Sequence, residues 1–416
     1  MRGRILIVDK KVPTPDRDSG SASTFSYLQI LSRAGYEIVF VPDTPTERDG
    51  YSRALDALGI KTLLAPEWTS TLAGVEAFAP RCDLILLYRA PVAAKVFEVA
   101  RNAAPPGVKI LFHAVDLHFL RLLRQAEASG RRTDLDVAMM TREIEINLVN
   151  TCDATIVVSA FEQDLLRELV PSASVHHIPI LRDIPPRGWA EVFEHSARRV
   201  LCRPGGLGRW LRQHDPLWRK RRDVVFLGGY EHAPNCDAIH WFVGSVWPLL
   251  QSRGFRHRLV IAGSNVPPDI VALASDKIEV RGYIHDLRAL FAGCRLSIAP
   301  LRYGAGLKGK IVTSLSYGIP VVASPIAAEG TGLKHGESIL VGSTPEELAD
   351  EILRLYEDPC LWQRLSENGY RIFRERFSLS AGARQLIPLV DALTTSRHNR
   401  ATDERRGFSN APDPNR

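Results

Sequence analysis

Residues 295–330, RLSIAPLRYGAGLKGKIVTSLSYGIPVVASPIAAEG, combine side-chain types at a spacing suited to holding a phosphate. Gly304, Ala305 and Gly306 permit a tight backbone reversal whose N–H groups stay unshielded, and Lys308 and Lys310 stand just beyond it. The apolar run before the turn reads as a strand. The pattern after it predicts a helix over 307–317, closed by Gly318, and then a buried strand over 319–323. Lysines in a first turn work against the helix dipole, so their placement there points to an arriving anion. Arg302 ends the preceding strand, where a cation could reach phosphate or pair with a cleft carboxylate.

Three readings of this turn compete. Gly304, Gly306 and Gly309 satisfy G-x-G-x-x-G, and Glu329 follows at about the 20 residues a dinucleotide fingerprint asks. That fingerprint, however, opens a nucleotide domain, whereas this turn comes late in its half of the chain. Gly304 to Lys310 also fits most of a P-loop, but Ile311 stands where a Ser or Thr must hold magnesium. In the third reading, small residues merely let a helix pack closely on a sheet.

The elements that must position such a turn extend over the whole chain. With 416 residues it exceeds one typical core, and 45% apolar against 24% charged residues is the balance of a globular protein with two domains. Ile5 to Val8 is too short for the apolar region of a secretory signal, and no run is long enough to span a membrane. The six cysteines carry no C-x-x-C or zinc spacing, which suits reduced, cytosolic thiols. The net charge of +6 is concentrated. Arginines from Arg198 to Arg222 crowd a segment that also holds Trp210 and Trp218, a mix suited to an anionic membrane surface or to a solvated linker. No nucleic-acid-binding motif accompanies it, so nucleic acid is not an expected partner.

Strand-like and helical patterns alternate over 1–181, with strands over 4–9, 37–42, 61–64, 83–88, 108–113, 154–158 and 175–178. The pattern breaks into Pro, Gly, Trp and basic residues over 182–222, read as a linker with an insertion. A second alternating series occupies 223–378, followed by a helix over 379–393 and a polar tail over 394–416 expected to be disordered. The fold class is therefore α/β. Two doubly wound, Rossmann-like domains would face a central cleft at the carboxyl ends of their strands. Asp16 and Asp18 read as turn formers or as a cap before Ser21, Asn235 and Asp237 as caps of the helix behind Gly228 and Gly229, and His113 as a core histidine.

A series of motifs in order carries a family resemblance. VVFLGGYEHAPNCDAIHWF, LVIAGSNVP, VRGYIHDLRALFAGCRLSIAPLRYGAGLKGKIV, YGIPVVASPIAAEG and DPCLWQRLSENGYRIFRERFS make the second half similar to the donor-binding domain of family 4 (group 1) glycosyltransferases of the GT-B fold. The first half resembles the matching acceptor domain more loosely, through VPTPDRDSGSASTFSYLQIL, VDLHFLRLLR and CDATIVVSAFE.

The resemblance implies a retaining, metal-independent sugar transfer from a nucleotide diphosphate sugar to a glycan or lipid-linked acceptor in cell-surface polysaccharide synthesis. No cofactor is implied beyond the nucleotide-sugar cosubstrate. The implied location is cytoplasmic, with peripheral contact at the inner face of the membrane through 198–222. Lys308, Lys310 and the N–H groups of Gly306 and Leu307 would clamp the leaving diphosphate. Gly20 and Ser21 would form an early turn against the donor, and Gly228 and Gly229 the opposite wall. Asp116 and His118, in a loop after the strand ending at His113, would approach the reacting sugar or acceptor. Such relatives commonly carry two glutamates in the glycine-turn region, and here the positions fall on Ala305 and Thr313. Losing the second removes a charged hydrogen bond to ribose, about 1.5–3 kcal/mol, with Glu329 as a substitute from the following loop. Two further functions stay open: a catalytically reduced GT-B partner protein, motivated by Thr313, and a nicotinamide-dependent enzyme using the glycine motif.

Overall fold

Long apolar runs punctuated by helical patterns fold as two wholly parallel sheets. The computed structural model describes residues 2–183 and 221–409, with side chains to 394. The first sheet contains β1 (Arg4–Asp9), β2 (Glu37–Pro42), β3 (Lys61–Thr62), β4 (Leu84–Tyr88), β5 (Lys109–His113), β6 (Ala154–Val157) and β7 (Val175–His177), in the order β3-β2-β1-β4-β5-β6-β7. The second contains β8 (Asp223–Leu227), β9 (Leu259–Ala262), β10 (Ile278–Gly282), β11 (Cys294–Ala299), β12 (Val321–Ala323) and β13 (Leu340–Val341), in the order β10-β9-β8-β11-β12-β13. Strand order reverses beside β1 and again beside β8, which opens a crevice at the carboxyl end of each sheet.

Helices cover both faces of each sheet, so the central strands are buried throughout. Every residue of β4 and of β11 is buried, as parallel strands covered on two sides require. On the first sheet Ile5 and Ile7 pack to one side with Tyr27 and Leu31 of the helix Ser19–Arg33, while Leu6 and Val8 pack to the other with Ala93 and Val96 of the helix Ala90–Ala103. In the second, Val224, Phe226 and Leu296 join Leu348, Ile352 and Leu365 from the helices Pro345–Glu357 and Pro359–Ile372.

The last described residues before 184 lie beside the point where the chain later returns to the first domain. Arg182 donates its N–H to the Phe377 carbonyl at 2.8 Å and forms a bridge with Ser378. The last helix, Leu379–Ser409, then returns to the first domain. Its Leu386 and Val390 enter the core beside Ile5 and Ile7, and Asp391 accepts from Arg2 at 3.0 Å and from Tyr36. Within the tail expected to be disordered, residues 394–409 continue this helix, and 410–416 lie outside the described residues. A helix already anchored by packing extends without a new nucleation cost.

Other expectations also change. Helices Thr71–Phe78 and His118–Ser129 add to the expected elements. The helix expected over 307–317 runs only Gly309–Ser316, because the glycine turn continues to Lys308. The single helix expected behind Gly228 and Gly229 contains a π-turn at Phe242–Val246. Of the basic segment, 198–220 lies outside the described residues. Arg221 is buried with its guanidinium 5.5 Å from the Trp362 ring, so it belongs to the core rather than to a surface patch. Among the described residues no helix is long and apolar enough to cross a membrane.

Candidate functional site

The carboxyl ends of both sheets open onto one cleft of about 440 Å³, lined from both domains. Its second-domain wall begins where β8 ends. Gly228 and Gly229 let the chain turn, and the Gly229 carbonyl accepts from Asn235 Nδ2 at 2.7 Å. Asn235 is not the expected cap. His232 holds the N-cap position of the helix Ala233–Trp241 without a side-chain bond, and Asn235 Oδ1 instead accepts from Lys310 Nζ. Asp237 likewise lies inside the helix, where it pairs with Arg302.

The two lysines are oriented differently. Lys310, in the first turn of the helix Gly309–Ser316, places its ammonium 4.5 Å from the centre of the Phe226 ring. Burial, reinforced by the nearby Lys308 charge, pushes its pKa down to about 7. Lys308 is the N-cap residue rather than a first-turn residue. Its buried ammonium folds back to donate to the Ala305 and Gly306 carbonyls at 2.9 and 2.7 Å. Burial lowers its pKa as well, opposed by Glu162, Glu329 and Asp116. Two cations thus sit partly stripped of water at the start of one helix, an arrangement that an anion would stabilise. Ala305, Leu307 and Thr313 complete this wall.

The first-domain wall is held mainly by side chains around the amino end of the helix Ser19–Arg33. Asp18 caps that helix, as expected, accepting from Ser21 N at 2.8 Å and Ser21 Oγ at 2.7 Å, so the Ser21 hydroxyl is committed to the cap. Gly20 lies so close to Arg89 that a β-carbon there would sit 2.6 Å from the guanidinium. Arg89 has φ +62 and donates to Asp9 at 2.7 Å, while Arg182 donates to Ser19 Oγ at 2.7 Å. Neither arginine was singled out in the sequence. Arg89 follows β4 as an ordinary surface residue would, and Arg182 stands in an apparent linker.

After β5 the backbone turns through Val115 at φ +68, a strained conformation for a β-branched residue. Asp116 follows and lines the cleft. His118 Nε2 lies 3.3 Å from Asp116 Oδ1, and Arg121 Nε donates to Asp116 Oδ2 at 3.0 Å. Burial opposes ionisation of Asp116, but His118 and Arg121 outweigh it and hold the carboxyl well below the usual range. The same pairing raises His118 against its own burial. His118 is absent from the cleft lining and begins a helix, so it supports Asp116 from behind rather than meeting the cleft directly. His113 stacks on Tyr88 at 4.6 Å, and burial lowers its pKa to about 3, as befits a core histidine.

Two expected residues are engaged elsewhere. Arg302 pairs with Asp237 at the surface and is not in the lining. Glu329 forms a two-point ion pair with Arg124 at 2.8 and 2.9 Å and is not in the lining beside Thr313. Arg124 also donates to the Gly304 carbonyl at 2.7 Å, tying the first domain to the glycine turn. The turn approaches the opposite wall closely. Gly306 adopts φ +64, and a β-carbon there would lie 2.9 Å from Asp116 Cβ; one on Gly309 would lie 1.9 Å from Ser19 Oγ.

Residues 221–358 match the family described as glycosyl transferases group 1. A Klebsiella pneumoniae protein named "Uncharacterized 44.6 kDa protein in cps region" is 23% identical over 199 residues, covering 42% of this chain and 50% of that relative. The aligned part thus spans half the length of the curated relative. Among solved structures, a Thermosynechococcus elongatus sucrose-phosphate synthase superposes with a TM-score of 0.69 at 16% identity, over 94% of this chain and 99% of the other. Anabaena HepE in complex with UDP-glucose gives 0.64 at 17%, over 94% and 100%. WaaG, a glycosyltransferase involved in lipopolysaccharide biosynthesis, gives 0.63 at 11%, over 91% and 98%. At these identities the superpositions show a shared GT-B architecture.

Proposed function

Because residues 221–358 match the glycosyl transferases group 1 family and the chain has a GT-B frame, we propose that it transfers a sugar from a nucleotide diphosphate sugar to a glycan or lipid-linked acceptor. The observation that carries the proposal is the pair of desolvated lysines, Lys308 and Lys310, on one wall of the cleft with the ionised Asp116 on the other. The UDP-glucose bound to HepE and the lipopolysaccharide role of WaaG favour a nucleotide-sugar donor and a surface polysaccharide product.

In this reading the diphosphate lies against the Gly306–Lys310 turn. Lys310, Lys308 and Arg182 offset the negative charge that grows on it as the glycosidic bond loosens. These cations make the transfer metal-independent in our proposal. Asp116, held well below the usual carboxylate range, is too weak a base to take a proton from a sugar hydroxyl at neutral pH. It would instead orient the acceptor hydroxyl or stabilise positive charge at the anomeric carbon. The proton of the attacking hydroxyl then goes to the departing phosphate oxygen, while the new C–O bond forms on the face the phosphate leaves and the configuration is retained.

Binding and hydrolysis across UDP-, GDP- and dTDP-sugars test the proposal. We expect micromolar to sub-millimolar binding of one nucleotide class and slow hydrolysis of its sugar. No binding of any of them at millimolar concentration would overturn it.

A further inference from the structure

The loop that presents Asp116 is strained at Val115 and opens a helix that cannot cap itself. Leu117 holds the N-cap position of the helix His118–Ser129 and offers no side-chain acceptor, so the first N–H groups must find partners elsewhere. They find them in two carboxylates from other helices. Glu145, on the helix Arg132–Thr151, accepts from His118 N at 3.0 Å through one oxygen and from Phe119 N at 2.8 Å through the other. Glu162, on the helix Ala160–Leu169, accepts from Leu117 N at 2.9 Å and from Ser159 Oγ at 3.0 Å. Both glutamates are 0% exposed.

We infer that Glu145 and Glu162 are positioning residues that fix the Asp116–His118 loop against the glycine turn. The part of this concerning what Asp116 does rests on the function proposed above; how the loop is held does not.

An ordinary helix start would use a Ser, Thr or Asp at the cap and leave the interior apolar. Burying two carboxylates instead is costly unless each is fully bonded, and here they anchor three successive amides. That anchoring offsets the strain at Val115 and leaves Asp116 little freedom. The charges act as well. Glu145 adds to the field that keeps His118 protonated, and protonated His118 in turn holds Asp116. Burial pushes Glu145 up to about 7 and raises Glu162, which Lys308 of the glycine turn draws back toward ionisation. The carboxylate facing the cleft and the cation beneath the turn are thus joined through Glu162, while a β-carbon on Gly306 would come within 2.9 Å of Asp116 Cβ.

The test uses the full chain with labelled histidine rings, with His118→Gln identifying the resonance. In wild type His118 should titrate above its ordinary value of about 6.5, and in Glu145→Gln the midpoint should fall by about one unit, a tenfold loss of proton affinity. Glu162→Gln is read through turnover, because Glu162 faces Leu117 N, Asp116 and Lys308 rather than His118, and it serves alone if Glu145→Gln does not fold. In the folded variants UDP binding should stay within about threefold while kcat with a UDP-sugar falls at least tenfold. A lowered melting temperature with His118 titrating as in wild type in Glu145→Gln and with kcat unchanged in Glu162→Gln would reduce both glutamates to structural residues and overturn the inference. Shifted His118 titration with no binding of UDP-, GDP- or dTDP-sugars to wild type at millimolar concentration would sink the glycosyltransferase reading alone.

Discussion

Lys310 gives the sharpest prediction, because its free state and its anion-bound state differ in proton affinity. In the free protein burial and Lys308 place its pKa at about 7. A phosphate oxygen at about 4 Å contributes roughly 4 kcal/mol at an effective dielectric of 20, enough to carry the bound value back to about 10. Below pH 7 the lysine is charged in both states and affinity is flat. Above it the ligand must bring a proton along, so affinity for the nucleoside diphosphate that binds, with UDP as the probe, falls by roughly fiftyfold between pH 7 and 9. The terminal phosphate of UDP itself ionises near pH 6, below this window. Replacing Lys310 by Met removes a charge-assisted bond of about 1.5–3 kcal/mol, or roughly 10- to 150-fold in affinity at pH 7. The two affinity curves should therefore converge by pH 9, with the remaining slope belonging to Lys308. Calorimetry at each pH, in buffers of different ionisation enthalpy, reads both the affinity and the proton uptake. Parallel curves for wild type and Lys310→Met, or no proton uptake at pH 8, would refute the reasoning. The sign for folding is separate. The unfolded chain holds this proton up to about pH 10.4, so Lys310 favours the folded state increasingly as pH rises from about 7.

Three further outcomes follow from the cleft. Asp116→Asn should lower kcat by about 10²- to 10⁴-fold with UDP affinity within about threefold, measured by steady-state turnover and calorimetry; a proportional loss of UDP binding would make Asp116 a donor ligand instead. In Gly309→Ala the added carbon meets Ser19 Oγ at 1.9 Å, Ser19 Cβ at 2.7 Å and Arg182 at 2.8 Å, so the Ser19–Arg182 contact against the turn must shift. Turnover should fall at least tenfold while the melting temperature drops by no more than a few degrees, and wild-type turnover would count against a closed, catalytic contact. Thr313→Glu places a carboxylate where the proposed donor would put its ribose. UDP should bind about tenfold more tightly than 2′-deoxy-UDP in this variant and about equally in wild type, and strong discrimination in wild type would mean that another residue reads the ribose.

The glycine turn illustrates how far the sequence carries. Its small residues and lysines announced an anion, yet Lys308 and Lys310 look equivalent in the chain. Only packing separates them, one folding onto its own carbonyls and the other reaching Asn235. Glu329 had the right type and spacing for ribose, but Arg124, distant in sequence, claims it.

What the sequence determined by itself was local: period-two and period-3.6 patterns, glycine at positions of positive φ, an aspartate before a helix, and hence two doubly wound domains. Those signals act between neighbours along the chain, where sterics and backbone hydrogen bonding operate. The tertiary structure alone decided which charges meet. Arg89 with Asp9, Arg182 with Ser19, and Glu145 and Glu162 with the amides after Asp116 are contacts between separate elements. A carboxylate reads the same in sequence whether water or a buried amide solvates it, and its proton affinity and role are set by that difference.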